Sequence, residues 1–145
     1  MSMNVLVING PNLARLDIRD SSIYGDLSYP QLVEYITAAA KEVGLNADVR
    51  QSDDEATIIG WLHEAADSAT PVIINPAAFT HYSYAIRDAA AMLKGPLIEV
   101  HLSNPLSREE FRHTSVISGV ATGTIGGFGP HSYSLALIAL KELIA

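Results

Sequence analysis

The chain has no cysteine, which removes disulfides, thiolate nucleophiles and cysteine-bound zinc from consideration. It is also short of positive charge: nine lysines and arginines face sixteen aspartates and glutamates, a formal net charge of −7. Nucleic-acid binding needs a basic face, so no such partner is expected. No apolar run approaches the length of a membrane span, and Met1-Ser2-Met3-Asn4 lacks the basic start and long apolar stretch of a signal peptide. A cytoplasmic location without a membrane partner is the expectation. What is present, 48% hydrophobic and 17% charged residues, is a globular composition, and 145 positions suit one domain over 1–145.

Short buried runs alternate with longer helical periods along the chain. Asn4–Asn9 is continuous and rich in β-branched residues, as a strand covered on both faces must be. After a polar loop, Ser28 and Gln31 have capping-box spacing, with Pro30 in a first turn that tolerates it. Leu32, Val33, Ile36, Ala39, Ala40 and Val43 then mark one helical face, which Gly44 closes. The pattern predicts strands at Ala47–Gln51, Pro71–Asn75, Leu97–His101 and Ser118–Ile125. It predicts helices at Asp54–Ser68, with Ile58, Ile59, Leu62 and Ala66 inward, and at about Tyr82–Leu93 and Ser132–Ile144. Ser107 and Glu110 suggest a second capping box on a short helix. Five βα units in this order predict an α/β three-layer sandwich with a parallel five-stranded sheet. A flavodoxin-like strand order, 2-1-3-4-5, is expected.

In such sheets ligands bind beyond the carboxyl ends of the strands. The first strand runs into Asn9-Gly10-Pro11-Asn12 and a loop with Arg15, Arg19 and Tyr24. The third ends at Asn75-Pro76, with Thr80-His81 beyond it. The fourth carries Glu99 and His101 on one side, followed by Ser103 and Asn104, then Arg108 and Arg112, four apart and expected on one helix face. Four of the nine cations thus gather in two loop regions, as a small anionic substrate would require.

Each feature also has a plainer reading. Asn12 and Asn75 could hold turns, Tyr24 could be packing, and the arginines could be surface ion-pair partners. His63 and His113 read as solvated helix residues, and His131 as either an anion contact or an exposed side chain. Gly123-Thr124-Ile125-Gly126-Gly127-Phe128-Gly129 lacks the lysine of a P-loop and the first-strand position of a dinucleotide site, so tight strand-to-helix packing explains it better. Only Glu99, His101 and His81 are candidate metal ligands, too few for a site, and neither a metal nor an organic cofactor is expected.

Five motifs in colinear order resemble the type II dehydroquinases, the 3-dehydroquinate dehydratases of flavodoxin-like fold. They are Ile8-Asn9-Gly10-Pro11-Asn12-Leu13, Arg19 with Tyr24-Gly25, Asn75-Pro76 with Thr80-His81, Glu99-Val100-His101-Leu102-Ser103-Asn104, and Arg108-Glu109-Glu110-Phe111-Arg112. The resemblance spans essentially the whole chain. It implies a lyase that eliminates water from 3-dehydroquinate through an enolate to give 3-dehydroshikimate, in the shikimate pathway or in quinate catabolism. Tyr24 would be the base, its phenolate favoured by Arg19 and Arg108. His101 would be the acid, oriented by Glu99. Asn12 would hold the water that stabilises the enolate. Asn75, His81, Ser103, Arg112 and the Leu102 backbone would bind the substrate's carboxylate and hydroxyls. Asp88 would reach a neighbouring subunit's site, implying a homo-oligomer of trimers assembled into a dodecamer.

The sequence departs from the family pattern at Asp17, at Asp20-Ser21, at Tyr82, expected to border the site, and at His131-Ser132. None of these removes a proposed catalytic group. The first two lie in the loop expected to close over the substrate. Two rival readings are a non-catalytic module that keeps the pocket and an electron-transfer flavoprotein. The second lacks a hydroxyl-rich phosphate loop after the first strand. A phospho-acceptor regulator is disfavoured because Asn9 and Asn75 stand where acids would be needed.

Overall fold

The computed structural model describes residues 3–24 and 26–145; Met1, Ser2 and the Gly25 of the Tyr24-Gly25 motif lie outside the described residues. Its framework is a five-stranded sheet in the order β2-β1-β3-β4-β5, all pairs parallel. The strands are β1 (Met3–Asn9), β2 (Leu45–Gln51), β3 (Val72–Asn75), β4 (Leu97–His101) and β5 (Gly123–Gly126). The helices are a short α1 (Ser21–Tyr24), α2 (Tyr29–Glu42), α3 (Glu55–Ser68), α4 (Tyr84–Ala90) and α5 (His131–Ile144). This is the expected α/β architecture and strand order.

The period-two alternation of the strands divides the core. Val5 and Val7 of β1, Ile73 of β3, and Ile98 and Val100 of β4 face one layer. There they pack with Leu32, Ile36 and Ala40 of α2 and Tyr133, Ala136, Leu137 and Leu140 of α5. Leu6, Ile8, Val72, Ile74 and Leu97 face the other layer, against Ile58, Leu62 and Ala65 of α3 and Ile86, Ala89 and Ala90 of α4. Both sheet faces are covered, so the central strands read as unbroken apolar runs. Complete burial of one such aliphatic side chain contributes about 1.5–3 kcal/mol.

The capping box at α2 is formed: Gln31 N–H donates to Ser28 Oγ at 3.3 Å, and Ser28 N–H donates to Gln31 Oε1 at 3.0 Å. Several local expectations are corrected. β2 starts at Leu45, directly after Gly44, whose φ of 78° closes the preceding turn without the strain a side chain would bring. In α3 it is Ala65, not Ala66, that is fully buried. Helix α4 begins only at Tyr84, because Ser83 caps it by accepting the Ile86 N–H at 3.1 Å, and it ends at Ala90. Ser107 and Glu110 form no capping box. Two separate 3-10 turns, Pro105–Ser107 and Glu110–His113, replace the short helix, with Arg108 extended between them. Residues 118–120 are a 3-10 turn, not the start of β5.

The topological switch lies between β1 and β3, whose carboxyl ends meet at close quarters. Gly10 N–H donates to the Asn75 carbonyl at 2.8 Å. A Cβ on Gly10 would lie 2.5 Å from the Pro76 carbonyl oxygen. Gly10→Ala is therefore expected to lower stability by about 1–3 kcal/mol, the usual cost of overpacking, in urea unfolding. Gly60→Ala is the control: nothing lies within 4 Å of a Cβ in mid-α3, and the substitution should stabilise by up to about 1 kcal/mol.

Candidate active site

The loops after β1, β3 and β4 enclose a cavity of about 90 Å³ at the switch point. Ten of the twelve residues to which the family resemblance gives a role line it: Asn12, Arg19, Tyr24, Asn75, His81, His101, Leu102, Ser103, Arg108 and Arg112. The other two stand apart. Glu99 lies behind His101 and lines a neighbouring cavity of about 270 Å³. Asp88 projects from α4, with its side chain 72% exposed and 3.4 Å from Arg87, and lines neither cavity.

Tyr24 is the centre of the arrangement. Its segment begins with Asp20, whose Oδ1 accepts from the Ser22 N–H at 2.9 Å and its Oγ at 2.7 Å, a local cap that starts α1. Helix α1 then delivers Tyr24 inward, 9% exposed. Its hydroxyl oxygen accepts from Arg19 Nη2 and, at 2.5 Å, from Arg108 Nη2. The Arg19 guanidinium also lies 3.6 Å from the ring centroid. Arg108 is held in turn by Ser103, whose Oγ accepts from Nη1 at 3.2 Å. Arg112 is held by Glu109 at 3.1 Å. Burial, together with repulsion from Arg108 and Arg112, moves the Arg19 guanidinium below its usual range despite the attraction of Tyr24.

The asparagines do two things at once. Asn12 adopts φ 71°, a left-handed conformation that asparagine tolerates, and its N–H donates to Asp53 Oδ1 at 2.9 Å. It therefore shapes the turn and also lines the cavity. Asn75 accepts the Ala77 N–H on Oδ1 at 3.2 Å and donates from Nδ2 to the Tyr133 hydroxyl at 3.0 Å. Tyr133 donates onward to Asn9 Oδ1 at 2.5 Å. Burial pushes the Tyr133 phenol well up, so it stays a neutral donor. The sequence reading missed this tyrosine, because its α5 position signals only core packing.

Glu99 and His101 share one side of β4, as alternation requires, and His101 Nε2 donates to Glu99 Oε2 at 2.5 Å. That leaves Nδ1 to serve a ligand. His81 Nδ1 donates to the Thr114 carbonyl at 2.8 Å. Burial, chiefly, pulls His81 below the ordinary histidine range, so its neutral form predominates and Nε2 is an acceptor.

Other expectations are refined. Arg108 and Arg112 share the cavity but no helix face, since the backbone is extended at Arg108. Tyr82 does not border the cavity: it is 58% exposed and packs edge to face on Phe79. Asp17 pairs with Arg15 at 3.0 Å on the surface. Ser132 accepts the Phe128 N–H at 3.1 Å, and His131 Nδ1 lies 2.8 Å from the Tyr35 hydroxyl. The glycine-rich segment packs tightly on the loop after β4, with Cβ positions of Gly126 and Gly127 at 3.2 Å from the Ser103 carbonyl and 3.3 Å from Asn104. Among the described residues no three His, Asp or Glu side chains converge as metal ligands, and no helix is long and apolar enough to cross a membrane.

Fold and site together define a doubly wound α/β protein whose switch-point cavity gathers a tyrosine, three arginines and two histidines. The family model for dehydroquinase class II matches residues 3–141, and the chain belongs to that family. It is 55% identical to the 3-dehydroquinate dehydratase of Salinispora tropica over 93% of this chain and 94% of that one. It is 54% identical to the 3-dehydroquinate dehydratase of Mycobacterium tuberculosis, over 95% and 94%. The type II dehydroquinase structure from Propionibacterium acnes superposes with a TM-score of 0.95 at 51% identity, over 98% of both chains.

The Asn9–Tyr133–Asn75 chain makes a stability prediction. Tyr133→Phe leaves two buried amide groups without their shared partner, which should cost about 1–3 kcal/mol in urea unfolding.

Proposed function

We propose that this protein is a 3-dehydroquinate dehydratase, eliminating water to give 3-dehydroshikimate with Tyr24 as base and His101 as acid. The observation that carries this reading is the pair of guanidiniums donating to the Tyr24 oxygen. The two guanidiniums hold the Tyr24 oxygen in place for the scheme, in which Tyr24 acts as phenolate and takes a proton from the carbon beside the substrate's ketone. The electron pair of that C–H bond forms the enolate. The enolate then collapses to the enone as the C–O bond breaks, and the His101 proton leaves with the hydroxyl as water. Afterwards Tyr24 holds the extra proton and His101 lacks one, so a net proton return from one to the other completes the cycle.

The remaining lining has a role in this scheme. Arg112 supplies positive charge for the carboxylate, and an anion there would relieve the mutual repulsion of Arg19, Arg108 and Arg112. The Nε2 of neutral His81 would accept from a substrate hydroxyl, with Ser103, Asn75 and the Leu102 backbone completing the contacts. Asn12 would position the water that stabilises the enolate. Asp88, remote from this chain's own cavity, would act on a neighbouring subunit's site in a trimer-based dodecamer. Exposed Tyr84 and Met92 on and beside α4 support such a contact.

The test is the ultraviolet absorbance of the enone, read with purified, chelator-treated protein and 3-dehydroquinate. Wild type should produce it, and Tyr24→Phe should lose about 10²–10⁴-fold in kcat with substrate binding by calorimetry largely kept. Binding without turnover by the wild type would instead identify a non-catalytic module. Arg112→Ala should raise KM more than it lowers kcat, because its charge contacts the substrate in ground and transition states alike.

A further inference from the structure

Residues 115–120, of which the pattern predicts 118–120 as the start of the fifth strand, instead fold over Glu99, and Ser115 and Ser118 have no assigned part in the scheme above. Glu99 is 1% exposed, so its carboxylate must find its hydrogen-bond donors within the protein. His101 supplies one to Oε2. Ser118 Oγ donates to Oε1 at 2.8 Å. Ser115 Oγ lies 3.0 and 3.1 Å from the two oxygens.

The two hydroxyls are committed differently. Ser115 Oγ accepts the N–H groups of Ile117 at 3.1 Å and Ser118 at 3.0 Å, which folds the 3-10 turn and aims its own hydrogen at Glu99. That turn needs only the oxygen's acceptor capacity. The Ser118 hydroxyl takes no part in the turn; its hydrogen bond is to Glu99. We infer that Ser115 and Ser118 are positioning residues of the acid–base site, clamping the buried Glu99 carboxylate so that it orients His101 toward the substrate. The inference rests on the functional reading proposed above.

The electrostatics agree with the geometry. Burial pushes the Glu99 carboxyl up, but the hydrogen bond and charge of His101, with the Ser118 and Ser115 donors, outweigh it and leave it below the ordinary carboxylate range. Its sheet neighbours Ile74 on β3 and Thr124 on β5 carry no charge. The charged or titratable groups sharing its cavity are His101, His81, Arg112 and His113. Removing a serine donor moves the Glu99 carboxyl upward, so protonation overtakes it at a higher pH and the acid limb of the kcat–pH profile should move up.

The experiment measures enone formation across pH for wild type, Ser118→Ala, Ser118→Thr and Ser115→Ala, with thermal melts of each. Ser118→Ala is decisive, because it leaves the turn's own hydrogen bonds in place. It should lower kcat about 10–100-fold, the range seen when a residue orienting an active-site histidine loses its support. KM should stay within about twofold and the acid limb should shift upward, while Ser118→Thr, which keeps a hydroxyl, restores both. In a Glu99→Gln background, Ser118→Ala should add little further loss, since the serine acts through the carboxylate. A folded Ser118→Ala protein with wild-type kcat and an unmoved acid limb overturns the inference alone. A wild type that makes no enone overturns the functional reading and the inference with it.

Discussion

Two guanidiniums hydrogen-bonded to one buried phenol oxygen, with a third lining the same cavity, are the constraint around which this molecule is organised. Like charges gathered out of water repel, and they stay together only if something fixed holds them. Here the fixing is done by short-range partners: Ser103 holds Arg108, Glu109 holds Arg112, and the Tyr24 ring lies against Arg19. A chain of net charge −7 thereby concentrates positive charge in one cavity. In the proposed reaction such preorganisation would supply electrostatic stabilisation without reorganising at the moment of reaction.

The scaffold meets this constraint at the one place where loops from neighbouring strands must diverge. Because β1 and β3 are adjacent and their crossovers run to opposite faces of the sheet, their carboxyl ends leave a crevice between them. Gly10 lets the two loops touch backbone to backbone. Below them, Tyr133 joins Asn9 and Asn75 through one hydroxyl, tying the floor of the site to the closing helix. Asn75 therefore both lines the cavity and holds the framework beneath it.

The Glu99–His101 pair follows a parallel logic on the opposite sheet face. Glu99 occupies a position in β4 where alternation would otherwise place an aliphatic residue like Leu97. A charge there is tolerable only with its oxygens saturated, and His101 and the two serines provide that. The burial that makes the carboxylate costly also strengthens its hold on the imidazole.

The elements, their parallel α/β arrangement and the positions of nearly all cavity residues were legible in the chain, because they depend on period-two and 3.6-residue patterns and on which strand ends a loop follows. The pairing of Glu99 with His101 was legible for the same reason, being fixed by alternation within one strand. What sequence left undetermined were contacts across many residues and the backbone between regular elements. Arg108 and Arg112 look like a helix pair at four-residue spacing, but an extended residue between two 3-10 turns separates them. Ser118 falls in the stretch read as the fifth strand; only when the Ser115 hydroxyl captures two amides does the segment become a turn that caps Glu99. Tyr133 reads as core until the fold brings it, across 124 residues, to Asn9. Periodicity determined the elements, while the tertiary structure decided which polar groups meet, because a buried hydrogen bond is specified by three-dimensional proximity and not by spacing along the chain.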